Sequence, residues 1–194
     1  MNVVLCRHGA TDANVAGGIL SYRDPSLNAL GREQSERAHA ALRDTAFDRV
    51  LASPMLRCTE TAAIIAPQQN FETDDALREV HFGAWEGHTL EWLEQNDPEG
   101  LAQRRRAPVH FRPPGGESFA DASLRLRPFA DAILQLNAAN VLIVAHRGSL
   151  GVLERLLRGL PLESQDVTPL EPGEFHIVVP SQRSPSGCSN ASLQ

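Results

Sequence analysis

The chain contains no lysine: all 18 of the basic residues among its 194 are arginine. That excludes Schiff-base chemistry on a side-chain amine and the lysine of a nucleotide-binding P-loop. Cysteine is scarce too. Cys6, Cys58 and Cys188 are odd in number and far apart, which gives no zinc signature. Such usage predicts free thiols in a reducing compartment, hence a cytoplasmic protein. No apolar run approaches a membrane span, and no basic segment precedes a hydrophobic one at the start, so neither an anchor nor a signal peptide is expected. An excess of positive charge is also missing. The net charge is −6, which argues against nucleic acid or an anionic membrane as partner. Any anion must therefore be handled by a local basic pocket. What remains, 42% hydrophobic and 22% charged residues, is the make-up of an ordinary globular domain. The length suits one domain over residues 1–180. Residues 181–194, rich in Ser, Gly and Asn, read as a disordered tail.

The chain is organised around Leu5-Cys6-Arg7-His8-Gly9-Ala10-Thr11. Apolar residues before it read as a buried strand, and the chain turns polar at Gly9. Arg7 and His8 are thus presented at a strand's C-terminal edge, where open α/β sheets bind ligands. The arginine fork matches phosphate oxygens, and an uncharged histidine is a nucleophile. Asn14 lies in the following loop, either to reach back to a bound phosphate or to cap local backbone. Gly31 to Arg43 reads as a helix with Ala38, Ala41 and Leu42 facing inward, and His39 as a surface or packing residue. Asp48 to Ala52 is a second strand. Ser53-Pro54 then suits a helix cap with proline at the first position, for a helix from about Met55 to Ala66. Arg57 falls in its first turn, where cation and helix N-terminus both favour an anion.

Phe71 to Thr73 reads as a short strand. Leu77 to Gly87 (LREVHFGAWEG) reads as a fixed loop that offers two candidate acids, Glu79 and Glu86; spacing does not choose between them. His81 and His88 lack metal-ligand spacing. A short helix is expected over Thr89 to Gln95. Arg104-Arg105-Arg106 with Arg112 is a dense basic cluster, either a solvated face or a site for a substrate anion. Pro113-Pro114-Gly115-Gly116 is a break. From Glu117 to Leu136 the apolar residues follow helical spacing, with Pro128 predicting a kink or two shorter helices. Val141 to Ala145 is the clearest buried strand. It ends in His146-Arg147-Gly148, which repeats the layout of the first motif before a helix from Ser149 to Arg158. Gly173 to Val179 gives a last strand, with His176 a sheet residue.

Taken in order, LCRHGATDAN, DPSLNALG, ASPMLRCTETA, LREVHFGAWEG, PPGGESF and VLIVAHRG resemble the histidine phosphatase superfamily, also called the phosphoglycerate mutase-like family, over about residues 3 to 179. The resemblance implies a three-layer α/β/α sandwich with a mostly parallel central sheet. It implies that His8 accepts a phosphoryl group, that Arg7, Arg57 and His146 hold the phosphate, with Asn14 a further candidate, and that Glu79 is the acid/base. No metal or cofactor is implied, and the partner is a small phosphomonoester. No stripe outside the core helices marks an oligomer interface. The length, HFGAWEG and PPGGESF are similar to α-ribazole phosphatases and to broad-specificity phosphatases acting on sugar or glycolytic phosphates. Cofactor-dependent mutases carry a longer segment where PPGG here runs directly into Glu117-Ser118. Short protein-phosphohistidine phosphatases are less similar, because Glu79 has a clear match. Arg147 stands where many relatives have glycine, to crowd the pocket or to bind a substrate anion. The expected reaction is metal-independent hydrolysis through a phosphohistidine, with α-ribazole-5'-phosphate the specific candidate substrate. A mutase is the rival, and a silent binding protein on the same fold is the non-enzyme alternative.

Overall fold

Val3 to Cys6 and Val141 to Ala145 are almost wholly apolar because both runs lie inside one sheet with both faces covered. A computed structural model describes residues 1–181. In chain order the elements are β1 (Asn2–Arg7), α1 (Asp12–Val15), α2 (Ala29–Leu42), β2 (Arg49–Ala52), α3 (Leu56–Ile65), β3 (Glu72–Thr73), α4 (Leu90–Asn96), α5 (Pro98–Arg106), α6 (Phe119–Leu134), β4 (Asn140–Ala145), α7 (Arg147–Arg158) and β5 (Phe175–Val178). The strand order is β3-β2-β4-β1-β5. The β3-β2, β2-β4 and β4-β1 pairs are parallel. β5 runs antiparallel along β1. This is the expected three-layer sandwich with a mostly parallel sheet.

Side chains alternate across a strand, so each central strand feeds two cores. Val3, Leu5, Val141 and Ile143 meet Leu126, Ile133 and Leu153 of α6 and α7. Val4, Cys6, Leu142 and Val144 meet Ala38, Leu42, Ala62 and Ile65 of α2 and α3 on the other face. A satellite cluster of Trp85, Leu93 and Leu101 stiffens the segment between α3 and α6.

Several local expectations change. α2 starts at Ala29, because the Asn28 side chain accepts from Gly31 N at 2.9 Å. Ala41 faces solvent, and Gly31 and Ser35 take inward positions instead. Ser53 does not cap α3. Met55 is the N-cap without a side-chain bond, and Asp24 Oδ1 accepts from Leu56 N at 2.7 Å. α7 begins at Arg147, two residues earlier than expected. α5 was hidden, because its charged run leaves only Gly100 and Leu101 buried. α6 continues through Pro128 as one helix. Pro128 and Leu124 lie on its exposed side, so the Leu124 carbonyl freed by proline faces water. His39 and His176 are structural as expected: His39 Nδ1 meets Ile65 O at 2.8 Å, and His176 pairs with Glu154 at 2.8 Å. Ser181, placed in the tail by sequence, bonds to the Leu157 and Arg158 carbonyls at the end of α7. Residues 182–194 and Cys188 lie outside the described residues.

Candidate active site

The register of the two central strands brings the histidines together. Arg7 is opposite Ala145, so His8 and His146 leave neighbouring parallel strands at one level. Their ring centroids are 5.2 Å apart, at 65°. His8 N donates to Ala145 O at 3.0 Å, and Gly9 N to Thr61 Oγ1 at 3.1 Å. At Gly9 a Cβ would strike the Gly31 backbone, so this turn needs glycine to let the start of α2 close over it.

Hydrogen bonds define the state of His8. Nδ1 lies 2.7 Å from the Gly9 carbonyl, and Arg57 Nε lies 3.3 Å from Nε2. A carbonyl only accepts and a guanidinium only donates. The network therefore assigns the proton to Nδ1 and leaves the Nε2 lone pair facing Arg57. Burial, and then Arg57, hold the His8 pKa well below 6.5; the Gly9 carbonyl opposes this and Arg7 adds to it. His146 is held well below 6.5 by burial first, and then by Arg57, His8 and Arg7. Its Nε2 lies 2.9 Å from Ser53 Oγ, which explains why that hydroxyl is lost to the helix cap. Cys58 Sγ lies 3.5 Å from the same nitrogen. Burial makes Cys58 a poor thiolate and pushes Cys6 up to about 12.

Arg57 is completely buried. It donates to the Ser21 and Arg23 carbonyls, each at 2.9 Å, and Asp24 lies 3.6 Å away. Arg7 donates to Leu170 O at 3.0 Å, and its buried Nε has no partner in the protein. Burial lowers the pKa of both arginines.

The two candidate acids separate by environment. Glu79 is buried. Its carboxylate accepts from the backbone N–H groups of Val80 at 2.8 Å, Gly148 at 3.1 Å and Ser149 at 3.0 Å. Burial raises its pKa above 4.5 even though these N–H groups and Arg7 oppose it. Glu86 instead accepts from Ser21 N and Arg23 N, both at 2.8 Å, and braces the loop that holds Arg57. Those backbone bonds lower its pKa despite partial burial.

A cavity of about 480 Å³ opens on Arg7, His8, Asn14 and Glu79. Arg57 and His146 do not line it; they form the layer behind His8. Asn14 combines both of its sequence readings. Its Oδ1 accepts from Thr11 N at 3.0 Å as a cap for α1, while the side chain still borders the cavity. The arginine cluster splits. Arg105, Arg106 and Arg112 are exposed and pair with Glu94, Glu99 and Asp121, while Arg104 alone reaches the cavity. Sequence reasoning missed Ser21, Asp24 and Ser53, which brace Arg57 and His146 from loops, Thr61 of α3, which holds the Gly9 turn, and the cavity walls at Ile19, Leu20 and Val167. Short polar residues in turns carry no signal that separates bracing from solvation. Among the described residues, no group of three or more His, Cys, Asp or Glu is placed to hold a metal ion.

Two histidines at adjacent parallel strand ends, two buried arginines and one buried carboxyl define a phosphate-handling α/β protein built around a histidine. The model of the histidine phosphatase superfamily (branch 1) matches residues 3–186. The chain belongs to that family. It is 32% identical over 167 residues to the adenosylcobalamin/alpha-ribazole phosphatase of Escherichia coli, spanning 84% of this chain and 82% of the relative. It is 32% identical over 164 residues to a probable phosphoglycerate mutase of Yersinia enterocolitica, spanning 83% of this chain and 76% of the relative. The crystal structure of the alpha-ribazole phosphatase from Shigella flexneri superposes with a TM-score of 0.84 at 32% identity, covering 94% of this chain and 92% of that one.

Proposed function

We propose that this protein hydrolyses a small phosphomonoester through a phosphohistidine at His8, with α-ribazole-5'-phosphate the specific candidate. The carrying observation is the state of His8 beside the cavity: Nδ1–H is bound to the Gly9 carbonyl, Nε2 is left unprotonated, and the residue lines the cavity. The His8 Nε2 lone pair attacks phosphorus while the bond to the alcohol oxygen breaks. Arg57, which in the free protein donates to that lone pair, turns its hydrogen bond to a phosphoryl oxygen. Arg7 offers its unpartnered Nε and Asn14 its side-chain amide, while His146, which does not line the cavity, packs its ring against His8. Phosphoryl transfer asks mainly for such positioning and charge stabilisation.

Glu79 gives the departing oxygen its proton. It must therefore be neutral when substrate is bound, and burial and the incoming dianion both push it that way. Water then loses a proton to Glu79 and attacks phosphorus. The N–P bond returns its electrons to Nε2, and inorganic phosphate leaves.

The test is phosphate release from a panel of α-ribazole phosphate, 3-phosphoglycerate, sugar phosphates and nucleotides in the presence of chelator. His8→Ala is expected to abolish release while the circular dichroism spectrum is retained. Release that survives the substitution overturns the assignment. The likeness to a probable mutase supports a second reading, and conversion of 3-phosphoglycerate to the 2-isomer instead of free phosphate is its signature.

A further inference from the structure

Glu79 stands in no helix or strand, so no ladder fixes the backbone that carries it. The chain around it is held from α6 instead. Leu77 and Val80 are buried in one cluster with Ala122 and Leu126. Arg125 Nη1 donates to the Ala76 carbonyl at 2.6 Å and to the Arg78 carbonyl at 3.2 Å. Its Nε and Nη2 donate to the two carboxylate oxygens of Glu117 at 3.0 and 2.8 Å. Glu117 then grips the far side of Glu79. Its Oε2 accepts from His81 N at 3.3 Å, and its own N–H donates to His81 O at 2.7 Å. At Gly116 an added Cβ would strike that carbonyl, so glycine lets the two backbones meet.

Neither Glu117 nor Arg125 lines the cavity. Their side chains are 16% and 24% exposed. A pair so far from water is a weak source of stability, since apolar residues of that size would hold α6 as well. Apolar residues cannot bind two carbonyls and a carboxylate through one planar fork, and neither can lysine. The product of the pair is therefore geometry. A reacting group misplaced by about 1 Å loses on the order of 10²-fold in rate.

Resting on the phosphatase reading above, we infer that Glu117 and Arg125 are positioning residues: their ion pair fixes the backbone on both sides of Glu79 and so aims its carboxyl at the departing oxygen.

The test compares kcat/KM, which stops at transfer to His8, on two esters. One is the best alkyl phosphate of the panel above. The other is 2,4-dinitrophenyl phosphate, whose alcohol leaves without a proton. Glu79→Gln is expected to lower the alkyl ester by about 100-fold or more and the dinitrophenyl ester by less than about threefold. Arg125→Gln is expected to show the same selectivity, at least about tenfold against less than about threefold. Combined with Glu79→Gln, it is expected to cost the alkyl ester less than about threefold more. Should R125Q fail to fold, Glu117→Gln is read in the same way. Equal losses on both esters, full activity on both, or loss of the fold in both variants overturns the inference and leaves the phosphatase reading standing. Absence of selectivity in E79Q itself removes the acid assignment and the inference with it. Hydrolysis of neither ester by the unaltered protein removes the phosphatase reading as well.

Discussion

At the residue scale, His8 is kept basic in name and neutral in fact. Its pKa lies well below 6.5, chiefly through burial and Arg57, so it keeps its lone pair where an exposed histidine would be protonated. Activity is therefore expected to persist below pH 6.5, with the acid limb of kcat/KM at the lowered value. A limb centred near 6.5 would contradict this. Under the proposed mechanism Glu79, raised above 4.5 by burial, is expected to set the alkaline limb, and Glu79→Gln to remove it. The sequence placed Arg7, His8 and His146 by simple logic, since each ends an apolar strand. It did not separate Glu79 from Glu86 by spacing; the family resemblance did. The physical difference is that one carboxylate is sealed against the start of α7, while the other ties down two loop amides.

At the element scale, α3 holds Arg57 in its first turn, and the loop before α2 secures both. Asp24 accepts from the first N–H of α3 and lies beside the Arg57 guanidinium. Asp24→Ala is expected to cost about 1 kcal/mol, the ordinary value of a lost N-cap, and to lower Tm by about 2–4 °C for a chain of this size. An unchanged melting curve would show that the cap carries no weight. The sheet was readable from its apolar runs and the long helices from their periodicity. α5 was not, because its burial comes from two residues and its visible character is charge. The Ser53-Pro54 cap was misread because a residue 93 positions away, His146, claims the hydroxyl. No local pattern reports such a partner.

At the scale of the whole molecule, the buried site makes stability depend on pH. His8 and His146 have lower pKa values folded than unfolded. As pH falls below about 6.5 the unfolded chain takes up protons that the folded one refuses, and stability drops by up to about 1.4 kcal/mol per pH unit for each histidine. Glu79 acts with the opposite sign: its folded pKa is raised, so its contribution is present below 4.5 and is lost as pH rises through the folded value. Urea midpoints at pH 7.5, 6.5 and 5.5 are expected to decline across the lower interval. A flat series would mean that the histidines accept protons in place.

β1 lies between β4 and β5, although it is the earliest of the three in the chain. Both neighbours are translated more than 130 residues later. On a ribosome the strand that leads into His8 has emerged long before either of its sheet neighbours can pair with it. A nascent or shortened chain thus carries the whole of its first motif without the strand that sets His146 beside it. Long-range pairing of this kind folds slowly and leaves edges open meanwhile. The neighbouring ends of β1 and β4, where His8 and His146 stand, therefore cannot come together until β4 has been made.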